Sequence, residues 1–373
     1  DPWLYVTLVI ACIASIVACW YSFQQQDILL YSDAYSHLRV ARSVLDGSGL
    51  SLAQLGGVWL PLPHLLMLPF VWNDYLWQTG LAGSIPSMLG YLVSARYLYL
   101  AARALTHDGR ASCIGALVFI LNPNILYLQT TPLSDLVCFA TLTMASYYFL
   151  TWAQDDSPKQ LIFSAASTFL ATFARYDGWA LFLALFVLIL LIGTIKHESR
   201  TSIEGNLIIF GVFGGLGIIL WLLWNAVIFS NPLYFLHASS SSQAYQSALL
   251  SAHSLPTYHD VWQSLRYYTL DTLDTLGIVL CILVALSIIV FIVRRRPTPH
   301  ILAALAFLVP FVFYIVSLYS GQAILFVPEA VSAHAPQHLY NARFGAAMVA
   351  PAALFIATLI SRVGADKSAV GAI

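Results

Sequence analysis

The sequence has 373 residues, of which 60% are hydrophobic and 9% are charged, and its formal net charge is -1. A mean hydropathy of +0.79 lies far outside the range of soluble proteins. This composition excludes a soluble globular enzyme, and the near-zero charge excludes a nucleic-acid-binding surface. The sequence therefore predicts a membrane protein that has membrane lipids, and no nucleic acid, among its partners.

Apolar runs recur along the whole chain and predict helical membrane spans. A helix needs about 20 apolar residues to cross a bilayer. The alternating pattern of a membrane β-barrel does not appear, so helices must satisfy the backbone within the lipid. The predicted fold class is an all-α polytopic membrane protein, with residues 1–373 as a single transmembrane domain and no separate soluble domain. The predicted spans number about ten: 3–23, 79–103, 111–128, 132–153, 160–174, 176–195, 207–229, 272–293, 300–319 and 339–361.

The positions of lysine and arginine predict how these spans are oriented. If the N-terminus is cytoplasmic and the spans alternate, ten of the 16 basic residues fall in inner loops, as the positive-inside rule requires. Both termini are then cytoplasmic, 24–78 is a first outer loop and 230–271 is a long outer loop. The rule leaves five outer arginines unexplained: Arg39, Arg42, Arg175, Arg266 and Arg343.

The first outer loop begins with a short amphipathic segment. Apolar side chains between Tyr31 and Leu45 recur every three or four residues, which is the spacing of one helix face. The segment is too short and too polar to cross the bilayer, so we expect a helix along the outer interface. Asp33 and His37 are one turn apart on it and share a face.

A proline-rich stretch, GGVWLPLPHLLMLPF, follows in the same loop. It contains Trp59 and His64, and three of its nine residues from Pro61 to Pro69 are prolines. Proline interrupts helical hydrogen bonding, so a bent or partly immersed segment is favoured over a transmembrane helix.

Three further segments place polar residues at the outer ends of predicted spans. They read LNPNILYLQTTPLSD, ATFARYDGWALF and HLYNARFGAAM. The polar residues that they contribute to the candidate site are Asp135, Arg175, Tyr176, Asp177, Tyr340, Asn341 and Arg343.

Each of these residues, taken singly, also has an ordinary structural explanation. Aromatic residues collect at membrane interfaces and arginines at span ends reach toward headgroups, and Asp135 could cap a helix. Ionisable groups at membrane depth are costly, however, and they concentrate where a site needs them. Several Asp–Arg sets on one face of the membrane therefore favour a functional site there.

The ordered set of segments resembles the GT-C glycosyltransferases. SDAYSHLRVAR, GGVWLPLPHLLMLPF, LNPNILYLQTTPLSD, FARYDGW, FSNPLYF and YNARFG are similar to bacterial and archaeal members of the branch that contains protein O-mannosyltransferases and aminoarabinose transferases. The resemblance implies a GT-C-like bundle with interfacial helices in its first outer loop. It also implies a plasma-membrane glycosyltransferase that moves a sugar from a polyprenyl-phosphate donor to a lipid, glycan or protein acceptor on the extracytoplasmic side.

This chemistry suggests roles for the candidate residues. By the resemblance, Asp33 matches the catalytic carboxylate of the first loop; inverting transfer needs such a base, and Asp135 is the second catalytic candidate. Arginine binds phosphate through two parallel hydrogen bonds. The candidates for the donor phosphate are Arg343, Tyr340, Arg175 and Arg42. The other expected site residues are His37, Trp59, His64, Tyr176, Asp177, Asn341 and Glu329.

Two questions stay open at the level of sequence. Asp33, His37, His64 and His338 are candidate ligands for a divalent metal, although no helix carries a spaced pair such as HxxxH and loop histidines are more often simply solvated. A polytopic transporter and a non-catalytic GT-C-like subunit are alternative functions. A transporter predicts polar residues midway along several helices and an internal repeat, whereas these spans are apolar in the middle.

Overall fold

The computed structural model describes residues 1–46, 51–238, 241, 244, 246, 250, 255–293, 298–330 and 342–370, without the side chains of 292–293 and 364–370. Throughout these ranges the regular structure is helical, with no strand. The helices are α1 (Pro2–Gln25), α2 (Ser32–Ser43), α3 (Leu62–Val71), α4 (Asp74–Thr79), α5 (Leu81–Thr106), α6 (Gly109–Ile120), α7 (Pro123–Leu128), α8 (Asp135–Asp155), α9 (Pro158–Ala174), α10 (Asp177–Ile195), α11 (Arg200–Phe229), α12 (Tyr234–His237), α13 (Val261–Leu276), α14 (Ile278–Val293), α15 (Pro299–Leu305), α16 (Val309–Tyr319) and α17 (Val349–Val370). Short 3₁₀ helices lie at Leu52–Leu55, Ala306–Leu308, Pro328–Ala330 and Phe344–Met348.

Six helices in the described ranges are long and apolar enough to cross a membrane, and a seventh span results if α13 and α14 form one broken segment. The prediction of about ten spans is therefore not confirmed by length and composition. Two predicted spans are too short as helices: α6 has 12 residues and α9 has 17. The predicted span 272–293 is interrupted, because the chain bends by 111° between α13 and α14 at Gly277, whose φ is +78°.

The centre of the bundle is formed by α8 and by the C-terminal run Phe344–Val363. Of the apolar stretch in each, 83% is buried, against 17% in α1. The first helix therefore lies at the periphery, and large apolar side chains such as Val9, Ile13 and Trp20 remain exposed on it. An apolar exposed face is what lipid contact requires.

One end of the bundle, which we call the Asp156 end, brings distant chain segments together through polar contacts. Arg103 pairs with Asp1 at 3.2 Å, and Lys196 pairs with Asp156. Because α5 finishes here while α1 begins here, these two neighbouring helices run in opposite directions.

The other end, which we call the Asp135 end, holds the first loop. The Tyr127 hydroxyl donates to the carbonyl of Asp27 at 2.9 Å, and the Tyr176 hydroxyl donates to the carbonyl of Val58 at 2.7 Å. The loop is thus fastened to α7 and to the start of α10.

A helix forms over Ser32–Ser43 in the first loop, as its periodicity predicts, and its apolar face packs on α3. Leu38 and Ala41 of α2 bury themselves against Met67 and Val71 of α3. The proline-rich stretch forms the ten-residue helix α3, which has prolines at its start and Pro69 inside it. Placement of α2 along the membrane interface stays a prediction.

Candidate active site

The first feature of the site is a contact between two residues that are 310 positions apart. Arg343 Nη2 donates to Asp33 Oδ2 at 2.5 Å. Asp33 lies in the first turn of α2, and Arg343 immediately precedes the 3₁₀ helix Phe344–Met348. The side chain of Arg343 is 10% exposed and that of Asp33 is 42% exposed. The carboxylate is therefore accessible from solvent, whereas the guanidinium is recessed behind it.

The guanidinium of Arg343 is only partly satisfied. Its Nε and Nη1 atoms are buried and have no hydrogen-bond partner among the described residues. The rings of Tyr31 and Phe344 lie 5.4 and 5.6 Å from its Cζ atom. Unpaired, buried charged N–H groups are costly, so this side chain is suited to receive an anion.

A second charged cluster surrounds Arg175, and here every guanidinium nitrogen has a partner. Nε lies 3.2 Å from Asp177 Oδ2, and Nη1 lies 3.4 Å from Asp135 Oδ1. Nη1 also donates to Ser134 Oγ and Nη2 to the Tyr314 hydroxyl, both at 3.2 Å. Asp135 and Asp177 are 1% and 3% exposed. The arrangement links α8, the break between α9 and α10, and α16, and it gives each nitrogen of Arg175 at least one partner.

The break between α9 and α10 places this cluster. Helix α9 ends at Ala174, Arg175 adopts an extended conformation, and Asp177 opens α10. A Cβ on Gly178 would lie 2.2 Å from the carbonyl of Ala171, so only glycine lets the two helices approach this closely. The carboxylate of Asp177 also sits in the first turn of a helix, where the helix dipole favours a negative charge.

Tyr31 lies among the charges of both groups. Burial raises the pKa of its hydroxyl; the Arg343 cation opposes this shift, and the carboxylates of Asp135, Asp271 and Asp33 add to it. The structure thus brings together around Tyr31 charged residues that the sequence spreads over more than 300 positions.

His37 and His64 form a buried pair next to this region. His37 Nδ1 and His64 Nε2 are 2.8 Å apart, and the Trp59 ring stacks on His37 at a centroid distance of 4.4 Å. Burial, with the cations of Arg343 and Arg175, lowers the pKa of His37 to about 3. Burial and the neighbouring His37 lower the pKa of His64 well below its usual value. Both rings are therefore neutral near pH 7.

Tyr176 belongs to an aromatic group beneath the first loop. Its ring stacks on Phe235 at 5.4 Å and meets Trp179 edge-on at 5.3 Å. Together with Leu60 and Trp221 these side chains form a separate apolar cluster. Tyr176 thereby holds the loop that carries Trp59, rather than taking a partner from the charged cluster.

Arg42 is not brought into the charged groups. It pairs with Asp46 and Asp74, each at 2.8 Å, and donates to the carbonyl of Val71 at 2.6 Å. These contacts tie the end of α2 to α3 and α4. Arg42 therefore stabilises the fold of the first loop.

Glu329 also lies apart from the charged groups, exposed beside Asp274. Tyr340, Asn341 and His338, three of the predicted site residues, lie outside the described residues. The structure consequently gives no position for them.

The described metal-ligand candidates do not fit a metal. Across the described ranges, no group of three or more His, Cys, Asp and Glu side chains is arranged to hold one. His37 and His64 direct one nitrogen each at the other, and Asp33 is paired with Arg343.

Three residues of the charged region were not among the predicted site residues: Tyr31, Asp271 and Tyr314. In the sequence, Tyr31 reads as part of the apolar face of α2, and Tyr314 lies inside a predicted span. Asp271 had a signal that could have been used. Ser264, Tyr268, Asp271 and Thr275 recur every three or four residues, which makes one polar helix face.

Comparison with known protein families adds one finding. Residues 77–224 match the model of the dolichyl-phosphate-mannose-protein mannosyltransferase family, a stretch that includes Asp135, Arg175 and Asp177 and covers less than half of the chain. No curated protein matches the chain significantly. Together with the helical membrane architecture, the match indicates a membrane glycosyltransferase of the GT-C type.

Proposed function

We propose that this protein transfers a sugar from a polyprenyl-phosphate donor to a hydroxyl or amine acceptor, with Asp33 as the base and Arg343 as the ligand of the donor phosphate. The observation that carries the proposal is the contact between these two side chains. It places an accessible carboxylate 2.5 Å from a recessed guanidinium. The match to a mannosyltransferase family model supports the sugar chemistry.

The donor phosphate is assigned to Arg343 because two of its nitrogens, Nε and Nη1, have no hydrogen-bond partner among the described residues. A guanidinium presents five donors in a fork that fits phosphate oxygens. Because Nε–H and Nη1–H point away from each other, Arg343 can hold a phosphate through one of these nitrogens together with the second N–H of Nη2, while the first N–H of Nη2 stays on Asp33. Arg175 is less suited to this role, since its nitrogens already contact Asp135, Asp177, Ser134 and Tyr314.

The proposed transfer step requires the donor, the acceptor and the side chains of Asp33 and Arg343. The acceptor O–H or N–H gives its proton to the Asp33 carboxylate as the acceptor atom bonds to the anomeric carbon of the sugar. The bond between that carbon and the phosphate oxygen breaks, and the electron pair stays on the lipid phosphate. Arg343 stabilises the charge that develops there. Attack opposite the leaving group inverts the anomeric configuration.

The pairing of Asp33 with Arg343 also suggests why binding precedes chemistry. A phosphate on Arg343 competes with Asp33 for the same guanidinium. Donor binding should thus loosen the contact and leave the Asp33 oxygen free to accept the proton of the acceptor.

Asp135 takes a supporting role in this proposal. It is 1% exposed and lies against Arg175, so it is poorly placed to meet an acceptor from solvent. The cluster of Asp135, Arg175 and Asp177 fixes the ends of α8, α9 and α10. Below Asp177, apolar side chains that include Phe139, Leu181 and Phe307 line a narrow crevice.

The Asp135 end is proposed to be the extracytoplasmic face of the plasma membrane. The inner-loop lysines and arginines support this orientation, since Lys196 and Arg103 lie at the Asp156 end. The acceptor then approaches Asp33 from outside the cell.

The test is the transfer of labelled mannose from a synthetic polyprenyl-phosphate mannose into membranes that contain the protein. Asp33→Asn keeps the shape of the side chain but removes the proton acceptor, so we expect a loss of about 10²–10⁴-fold in rate. Asp46→Asn, a change at an exposed carboxylate just beyond the same helix, should leave transfer unchanged. Near wild-type transfer by Asp33→Asn would eliminate Asp33 as the base.

A further inference from the structure

Asp271 is a buried carboxylate beside the proposed donor site. It lies on helix α13 (Val261–Leu276) and is fully buried. Its neighbours on the same helix face are Ser264, Tyr268 and Thr275, which are buried as well. The buried face of α13 is therefore polar, which is unusual for a helix face that packs inward.

The helix packs directly against the segment that carries Arg343. The Tyr268 hydroxyl donates to the carbonyl of Phe344 at 3.2 Å. A Cβ on Gly345 would lie 2.5 Å from the backbone carbonyl oxygen of Asp271 and 2.5 Å from Thr275 Oγ1. Because residue 345 is a glycine, α13 can pack closely on this segment. The backbone of Asp271 therefore contacts a residue that is only two positions after Arg343 in the sequence.

Neither oxygen of the Asp271 side chain makes a hydrogen bond of full geometry within the described part of the chain, although the backbone N–H of Gly345 is near enough to favour its charged form. Removing a carboxyl group from water without hydrogen bonds to replace those of water is costly. Protonation would remove the charge but would still leave both oxygens without hydrogen bonds of full geometry. A buried polar group of this kind is expected where a bound ligand supplies the missing hydrogen bonds.

The unmet groups of Asp271 and Arg343 are complementary. The carboxylate offers only acceptors, whereas Nε and Nη1 of Arg343 offer only donors. Both charges act on the Tyr31 hydroxyl, so they belong to one region. A ligand that satisfies both needs anionic oxygens next to several hydroxyl groups, which describes a glycosyl phosphate.

We propose that Asp271 binds hydroxyl groups of the donor sugar while Arg343 holds the phosphate to which that sugar is attached. The inference rests on the proposed function and assigns the sugar end of the same site. Asp271 then determines which sugars are accepted, because a carboxylate rejects a sugar that lacks the hydroxyl it should bind.

The experiment measures binding of two probes to the purified protein in lipid nanodiscs: a synthetic short-chain polyprenyl phosphate and the same lipid phosphate carrying mannose. The wild type should bind the mannosyl lipid about 10- to 100-fold more tightly, which is the contribution expected of two or three buried hydrogen bonds to the sugar. Asp271→Asn and Asp271→Ala should lose most of this preference and bind the bare lipid phosphate as the wild type does. Asp274→Asn, an exposed change one turn away, should retain the preference.

Singly deoxygenated mannosyl lipids test the same point without a variant. At least one of them should bind the wild type about 10-fold more weakly or worse. Retention of the sugar preference in both Asp271 variants, or equal binding of every deoxygenated lipid by the wild type, would overturn the inference while leaving the proposed function intact. If the wild type binds neither probe, the proposed function fails, and the role of Asp271 fails with it.

Discussion

At the residue scale, the two arginines of the site differ in how completely their hydrogen bonds are met. Within the described ranges, Arg175 has a partner for each nitrogen, whereas Arg343 has one hydrogen-bond partner and two nitrogens without any. A satisfied buried cation stabilises structure, and breaking its pairs leaves buried charges behind. An unsatisfied cation is better suited to bind a ligand. Replacing the arginine is therefore expected to have different consequences at the two positions.

We expect Arg175→Ala to lower the stability of the protein by about 3–5 kcal/mol, because Asp135 and Asp177 would remain buried without a cation. Arg343→Ala should leave the melting temperature close to that of the wild type and weaken binding of a polyprenyl phosphate. Thermal unfolding in detergent, followed by tryptophan fluorescence, checks the first effect. Equal destabilisation by both substitutions would contradict the distinction.

The buried histidine pair predicts a pH dependence of stability. The unfolded chain takes up a proton on His37 near pH 6.5, whereas burial holds the folded pKa at about 3. Between these values the unfolded state binds more protons, so the free energy of unfolding falls as the pH drops from 6.5 toward 3. Above pH 6.5 this group has no effect on the slope.

His37→Gln should reduce that acid slope, since glutamine does not titrate, while the buried His64 keeps its own contribution. The measurement is the melting temperature at a series of pH values from 7.5 to 4, with His237→Gln as a matched change at an exposed histidine. An unchanged slope in His37→Gln would show that His37 is not buried as described.

At the element scale, the sequence predicts where helices form better than it predicts how long they are. The periodicity between Tyr31 and Leu45 predicts α2, and a helix forms there over Ser32–Ser43. The apolar run 111–128 predicts one span, but Asn122 caps a new helix at Pro123 and divides the run. Hydropathy averages over such a local break, because cap chemistry depends on one or two residues.

The junction of α9 and α10 depends on a single close contact. Gly178→Ala should destabilise the protein, because the added Cβ would overlap the carbonyl of Ala171 at 2.2 Å. The cost of such overpacking is about 1–3 kcal/mol, and the displaced turn should also disturb Arg175. Gly205→Ala, at a helical glycine with nothing within 4 Å of the new Cβ, is the control. Equal melting temperatures for the two variants would contradict this account of the junction.

At the scale of the whole molecule, the sequence predicts which face holds the polar residues but not how they pair. Asp135, Arg175 and Asp177 are close in the fold because three helix ends meet. Asp33 and Arg343 meet across 310 positions, and no periodicity in either segment indicates that contact. Asp271 was missed for a related reason: only the packing of α13 on the segment after Arg343 shows that it is buried beside the site.

The orientation of the bundle can be checked with single cysteines in a background without the native ones. We expect a membrane-impermeant maleimide to label a cysteine at Gln54, an exposed residue of the first loop, on intact cells. A cysteine at Ser199, exposed at the Asp156 end, should react only after permeabilisation. The reverse pattern would place the proposed site in the cytoplasm.

The most direct test of the central claim is native mass spectrometry of the protein extracted from its own membranes. The wild type and Asp33→Asn should both carry a polyprenyl phosphate or its glycosylated form, because both keep Arg343. Arg343→Ala should lose that lipid while retaining ordinary phospholipids. Absence of any polyprenyl phosphate from the wild type, or its equal retention by Arg343→Ala, would contradict the proposal that this site holds a lipid-linked sugar donor.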